Sequence, residues 1–137
     1  MIVLDTNVLS ELTRRNPDVR VLEWFDEQLR NDLVTTAITV AEMSFGVERL
    51  PKGKRRDELA KLNETALAGM AAILPFSTRE AAAYGSIVAE AMSRGNDIKP
   101  FDGQIAAIAK VHRAALATRN LKDFENCGVD LIDPWTA

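Results

Sequence analysis

The chain has 137 residues, 47% of them hydrophobic and 27% charged, with a net charge of −3. That length supports an ordinary hydrophobic core, and the acidic balance argues against a protein that coats nucleic acid non-specifically. The single cysteine, Cys127, excludes an internal disulfide and a cysteine zinc cluster, and no apolar run approaches the ~20 residues of a membrane span. The expectation is one domain over residues 1–137, in the reducing cytoplasm and away from membranes, starting at Met1 without a cleaved leader.

Short apolar runs predict strands over 1–4, 33–35, 72–74, 114–117 and 129–132. The first run stops at Asp5, and Val8, Leu9 and Leu12 then follow helical spacing over 7–14. Pro17-Asp18 opens a second helix with Val21, Leu22, Phe25 and Leu29 as its apolar face and Trp24 bordering it as core. Thr39-Val-Ala-Glu42 matches a capping box and opens a helix to about Leu50, with Val40, Met43, Val47 and Leu50 on one side. Pro51 and Gly53 punctuate, and 56–71 reads as a further helix.

Ser77-Thr-Arg-Glu80 is a second capping-box match, opening a helix that runs to Arg94 and stops at Gly95-Asn96. Pro100-Phe101-Asp102 precedes a compact, alanine-rich helix for which Asp102 is the natural N-cap. A polar turn over 119–124 and a closing segment over 130–134 complete the chain. Strands alternating with helices predict an α/β protein whose mainly parallel sheet is covered on both faces.

Four acids stand at the junctions of these elements. Taken singly, Asp5 and Asp102 read as helix caps, Glu42 as the capping-box partner of Thr39, and Asp123 as a turn residue. Taken together, Asp5, Glu42, Asn120 and Asp123 fall at strand C-termini or the helix starts that follow them, the edge where open α/β sheets build their sites. Asp102 joins that edge if its helix starts there and runs back toward the next strand. Two carboxylates ~5 Å apart repel by about 3 kcal/mol at an effective dielectric of about 20, so such a cluster needs a counter-charge. A hard divalent ion with oxygen ligands, Mg²⁺ or alternatively Mn²⁺, suits these residues better than zinc. His112, the one histidine, reads as a surface or packing residue, and the basic run Lys52-Gly-Lys-Arg-Arg56 as a solvated helix start before a phosphate- or partner-facing patch.

The motifs Asp5-Thr-Asn-Val-Leu-Ser-Glu11, Thr39-Val-Ala-Glu42 with Gly46 and Arg49-Leu50, 101–109 and 117–124 together resemble the PIN-domain family. The similarity spans nearly the whole chain and is strongest to VapC-type toxins of the FitB-like, plasmid-stability branch, which the closing Leu131-Ile-Asp-Pro-Trp135 also fits. The resemblance implies a PIN-like three-layer α/β/α sandwich with a roughly five-stranded sheet. It implies the toxin of a type II toxin–antitoxin system, a Mg²⁺-dependent endoribonuclease that hydrolyses RNA through a cation-activated water and leaves a 5′-phosphate and a 3′-hydroxyl.

Asp5, Glu42 and Asp102 align with the family's acidic triad, Asp5 and Asp102 holding the principal ion, with Thr6 and Thr118 as supporting hydroxyls. Many members carry Asp where this chain has Asn120, so Asn120 and Asp123 remain alternatives for the fourth corner. Expected partners are RNA, a VapB-like antitoxin, a second copy of the chain in a homodimer or larger complex, and operator DNA only through the antitoxin. The alternative is a catalytically weak module that acts mainly as the antitoxin's binding partner in operon regulation, with the first two helices and the helix after Glu42 offering it a groove. A haloacid-dehalogenase-like phosphatase is a more distant reading, because Asn7 stands where that chemistry needs a second Asp.

Overall fold

The computed structural model describes residues 1–137. Five strands, β1 (Ile2–Leu4), β2 (Leu33–Thr36), β3 (Ile73–Leu74), β4 (Ala115–Ala117) and β5 (Leu131–Ile132), pair in the order β3-β2-β1-β4-β5, every pair parallel. The helices are α1 (Thr6–Leu12), α2 (Val19–Glu27), α3 (Ala37–Glu48), α4 (Lys54–Ala68), α5 (Thr78–Ser93) and α6 (Pro100–Val111). Short 3₁₀ turns lie at Arg30–Asp32 and Leu121–Phe124.

Successive strand residues face opposite sides of the sheet, and the core divides accordingly. Val3, Val34 and Leu116 pack with Ile87 of α5 and Ile105 and Ile108 of α6 on one face. Leu4, Leu33 and Ala117 pack on the other with Val8, Leu9, Val21, Trp24 and Trp135, reinforced by Ala66 and Leu67 of α4. This is the expected three-layer α/β/α sandwich. Both faces of every central strand are buried, which explains why these strands read as continuous apolar runs.

Several local expectations shift. The first turn of α3 is capped by Thr36, whose Oγ1 accepts from the Thr39 N–H at 3.1 Å, so the helix starts three residues before the Thr39 box would place it. Glu42 is therefore in the second turn, free to reach another partner. Asp102 is not an N-cap either: Lys99 occupies that position, Pro100 opens α6, and Asp102 is the third residue of its first turn. In α2 the apolar face rotates and shortens. Val21 and Trp24 are buried, whereas Leu22 is on the surface and Leu29 lies beyond the helix, 74% exposed. The basic run is the first turn of α4, which starts at Lys54 rather than at residue 56. Trp24 is core, as read, and His112 caps α6 with Nε2 4.0 Å from the buried Glu80.

From β1 the chain steps outward through β2 to β3, then returns to place β4 on the other side of β1. That reversal opens a crevice beyond the carboxyl ends of β1 and β4. Asp5 and Thr118 are the residues that follow those two strands.

Candidate active site

Asp5 leaves β1 in an extended conformation and caps α1, its Oδ1 accepting from the Thr6 N–H at 2.8 Å. It is also buried, at 3% exposure. Its Oδ2 accepts from the Thr118 hydroxyl at 2.8 Å and from Asn7 Nδ2 at 3.0 Å. The cap expected at Asp5 is thus observed through one oxygen, while the other is held by Thr118 and Asn7. Burial pushes the Asp5 carboxyl above its usual range; the bonds from Thr118 and Thr6 oppose this, and Glu42 adds to it.

Asn7 is the member of this network that its sequence context did not reveal. Besides donating to Asp5, it accepts from the Arg119 N–H through Oδ1 at 3.1 Å, tying the start of α1 to the loop after β4. Only the sheet order makes that neighbour visible, because 112 residues separate the two in sequence. Thr118 completes the knot, its Oγ1 accepting from the Asn120 N–H at 3.1 Å.

Glu42 reaches the crevice from α3. The Thr6 hydroxyl donates to its Oε1 at 2.8 Å and lies 3.0 Å from Thr39 Oγ1. Asp102 enters from α6, whose N-terminus lies at the site edge with the helix running back toward β4. Its carboxyl is pushed up to about 6, first by burial and then by the charges of Asp5, Asp123 and Glu42, with Lys99 opposing. Asp102 therefore feels the charge of the other three acids, and Asp5 that of Glu42. Asp123 is exposed on the turn after β4, whereas Asn120 contributes its backbone N–H.

No lysine, arginine or histidine forms an ion pair with Asp5, Glu42, Asp102 or Asp123; every ion pair in the molecule lies elsewhere. Nor do any three of its carboxylate, imidazole and thiol groups converge closely enough to enclose an ion unaided. Uncompensated oxygen donors around an open centre fit a hard divalent cation that keeps several waters, and they do not fit zinc. In such a site Asp5 and Asp102 would hold it.

The family model for the PIN domain matches residues 2–128. The chain belongs to the PIN-domain family. Among PIN-domain relatives, it is 45% identical to the VapC ribonuclease Y4jK of Sinorhizobium fredii, covering 98% of each chain. It is 41% identical to toxin FitB of Neisseria gonorrhoeae, covering 98% of this chain and 99% of that one. The crystal structure of FitAcB from Neisseria gonorrhoeae superposes with a TM-score of 0.93 at 41% identity, each chain covered completely. The structure of FitAB bound to an IR36 DNA fragment gives 0.89 at 42% identity, covering 98% of this chain and 96% of that one. The PIN-domain architecture expected from the motifs is thus the one observed.

Proposed function

We propose that this protein is the toxin of a toxin–antitoxin pair and acts as a divalent-metal-dependent endoribonuclease. The observation that supports this reading is that Asp5, Glu42 and Asp102 stand around the crevice at the sheet's switch point, near enough for the charges of the other two to bear on Asp102, and that none of them is paired with a protein cation. The relatives named as VapC ribonuclease and as toxin support the substrate and the biological role. When bound, Mg²⁺ or Mn²⁺ would neutralise the scissile phosphate and acidify a water for attack.

The chain's own residues supply positioning. Asp5 and Asp102 would hold the ion through their carboxylate oxygens. Thr118 and Asn7 hold one Asp5 oxygen while the Thr6 N–H holds the other, so the carboxylate keeps one rotamer without an ion. Glu42, held by Thr6, orients the attacking water and takes its proton, a role no histidine in the crevice could fill. Asp123 is the carboxylate of the fourth corner, and Asn120 braces Thr118 through its backbone N–H. The partner is a VapB-like antitoxin, through which the complex reaches operator DNA, as the FitAB complex with DNA supports. The toxin itself forms the homodimer of that complex.

Purified protein assayed on a panel of tRNA and rRNA tests the proposal. Cleavage is expected with Mg²⁺, lost with EDTA, and lost in Asp5→Asn and Asp102→Asn with the fold retained. Undiminished cleavage by either variant, or by the wild type in EDTA, would refute it. Binding to the antitoxin without any cleavage would favour the silent, regulatory module.

A further inference from the structure

A cleft of about 700 Å³ leaves the active site between α1, α3 and α4. Thr6 and Glu42 form its inner end. Arg14, Arg15, Arg49 and Arg55 line its outer walls, against the carboxylates Glu42 and Glu58 alone. This is a local excess of positive charge in a molecule whose net charge is −3. Arg14 is paired with Glu11 and Glu58 with Lys54, but Arg15, Arg49 and Arg55 are exposed and form no ion pair. Outside the cleft Arg20, Arg30, Arg56 and Arg94 are each matched with a carboxylate while Arg79, Arg113 and Arg119 stand singly, so what marks the cleft is three unpaired arginines gathered around one opening.

A second observation concerns Gly46, which lies in the last turn of α3 on the wall of the same cleft. Glycine weakens a helix interior by about 1 kcal/mol relative to alanine. Nothing in this chain requires it: a Cβ at position 46 would meet no atom within 4 Å. The missing side chain widens the cleft instead of relieving a clash within the fold.

We infer that this cleft is the track for single-stranded RNA leading into the active site, with Arg15, Arg49 and Arg55 holding backbone phosphates. The inference rests on the ribonuclease reading above. Guanidinium groups on separate walls match successive phosphates of a flexible strand, and their planar forks suit phosphate oxygens. No aromatic side chain lines the cleft, so it has no platform for stacking bases and reads the backbone alone. An acidic stretch of a protein partner carries the same charge, but its carboxylates would be drawn away from an inner end built around Glu42 and its acidic neighbours. A phosphodiester strand brings to that end the group the acids and their cation are disposed to cleave.

The test uses a fluorescently labelled, mixed-sequence single-stranded RNA, with binding measured in EDTA so that nothing is cleaved. Arg15→Ala, Arg49→Ala, Arg55→Ala and the triple variant are compared with the wild type and with Arg79→Ala on α5, outside the cleft. The triple variant should bind on the order of tenfold more weakly, and its plot of log affinity against log salt should be shallower by about 2, near 0.7 per phosphate contact. Arg79→Ala should match the wild type. With Mg²⁺, the triple variant should raise KM and leave kcat near the wild-type value. Gly46→Leu, which fills the cleft without changing charge, should weaken RNA binding while its melting temperature stays at or above that of the wild type.

Unchanged affinity and salt slope in a folded triple variant would overturn the track. So would a triple variant that keeps RNA and loses only its antitoxin, because the cleft would then belong to the protein partner. A wild type that neither binds nor cleaves RNA would defeat the ribonuclease reading itself, which separates that failure from failure of the cleft.

Discussion

At the scale of single residues, Thr118 shows how a side chain with no charge can determine what a charged one does. It is completely buried, donates to Asp5 and accepts from the Asn120 N–H. Thr118→Val keeps the volume and removes both bonds, leaving the buried Asp5 Oδ2 held by Asn7 alone and the Asn120 N–H without its protein partner. The expected cost is roughly 1–3 kcal/mol, read by denaturant unfolding, with a loss of ribonuclease rate because Asp5 gains rotamer freedom. An unchanged rate in the folded variant would remove Thr118 from the positioning network. Asp5, Glu42 and Asp102 were legible in the sequence because an acid stands out where an apolar run ends or a helix begins. Asn7 was not, since its two partners become neighbours only when β4 is laid beside β1.

At the scale of elements, the differences between expectation and structure come from caps. Thr36 and Thr39 both satisfy the local chemistry of a helix start, and the backbone chose the earlier one because β2 runs straight into α3 without a loop. Thr36→Ala should therefore cost about 1 kcal/mol of stability, measured as a shift in the unfolding midpoint.

Asp18 caps α2 through the Arg20 N–H and also meets the Arg20 side chain, which holds its carboxyl at about 2 against the usual 3.8. A depressed acid stabilises the fold fully above 3.8 and loses that contribution as pH falls toward about 2. Asp18→Asn should therefore melt below the wild type near neutral pH, with the gap closing as the pH falls through that window. A constant gap would assign the effect to packing. In α6, Gly103 permits close approach to α5, since an added Cβ would lie 2.9 Å from Tyr84 Cε1. Gly103→Ala should cost about 1–3 kcal/mol through overpacking, and it should disturb the neighbouring Asp102.

At the scale of the whole molecule, the sheet order β3-β2-β1-β4-β5 gives the acids their meaning. The alternation of apolar runs with helical spacing made the layered α/β architecture readable, and both faces of the sheet are buried as those runs require. The crossing from β3 to β4 is not written in any local pattern. It follows from how the helices cover the two faces, and it brings Asp102 within reach of the charge on Asp5. The arginine-lined cleft was hidden for the same reason, being assembled from residues 14–15, 49 and 55 on different segments.

We propose that Asp5, Glu42 and Asp102 form a site completed by a divalent cation, which relieves the repulsion among them. Thermal unfolding of the wild type and Asp102→Asn, near neutral pH with and without Mg²⁺, tests it most directly. Without metal, Asp102→Asn should melt above the wild type, because one of the repelling charges is gone. Adding Mg²⁺ should raise the melting temperature of the wild type and leave that of the variant nearly unchanged. A wild type indifferent to Mg²⁺, together with a metal-free variant that melts no higher than the wild type, would contradict the metal site.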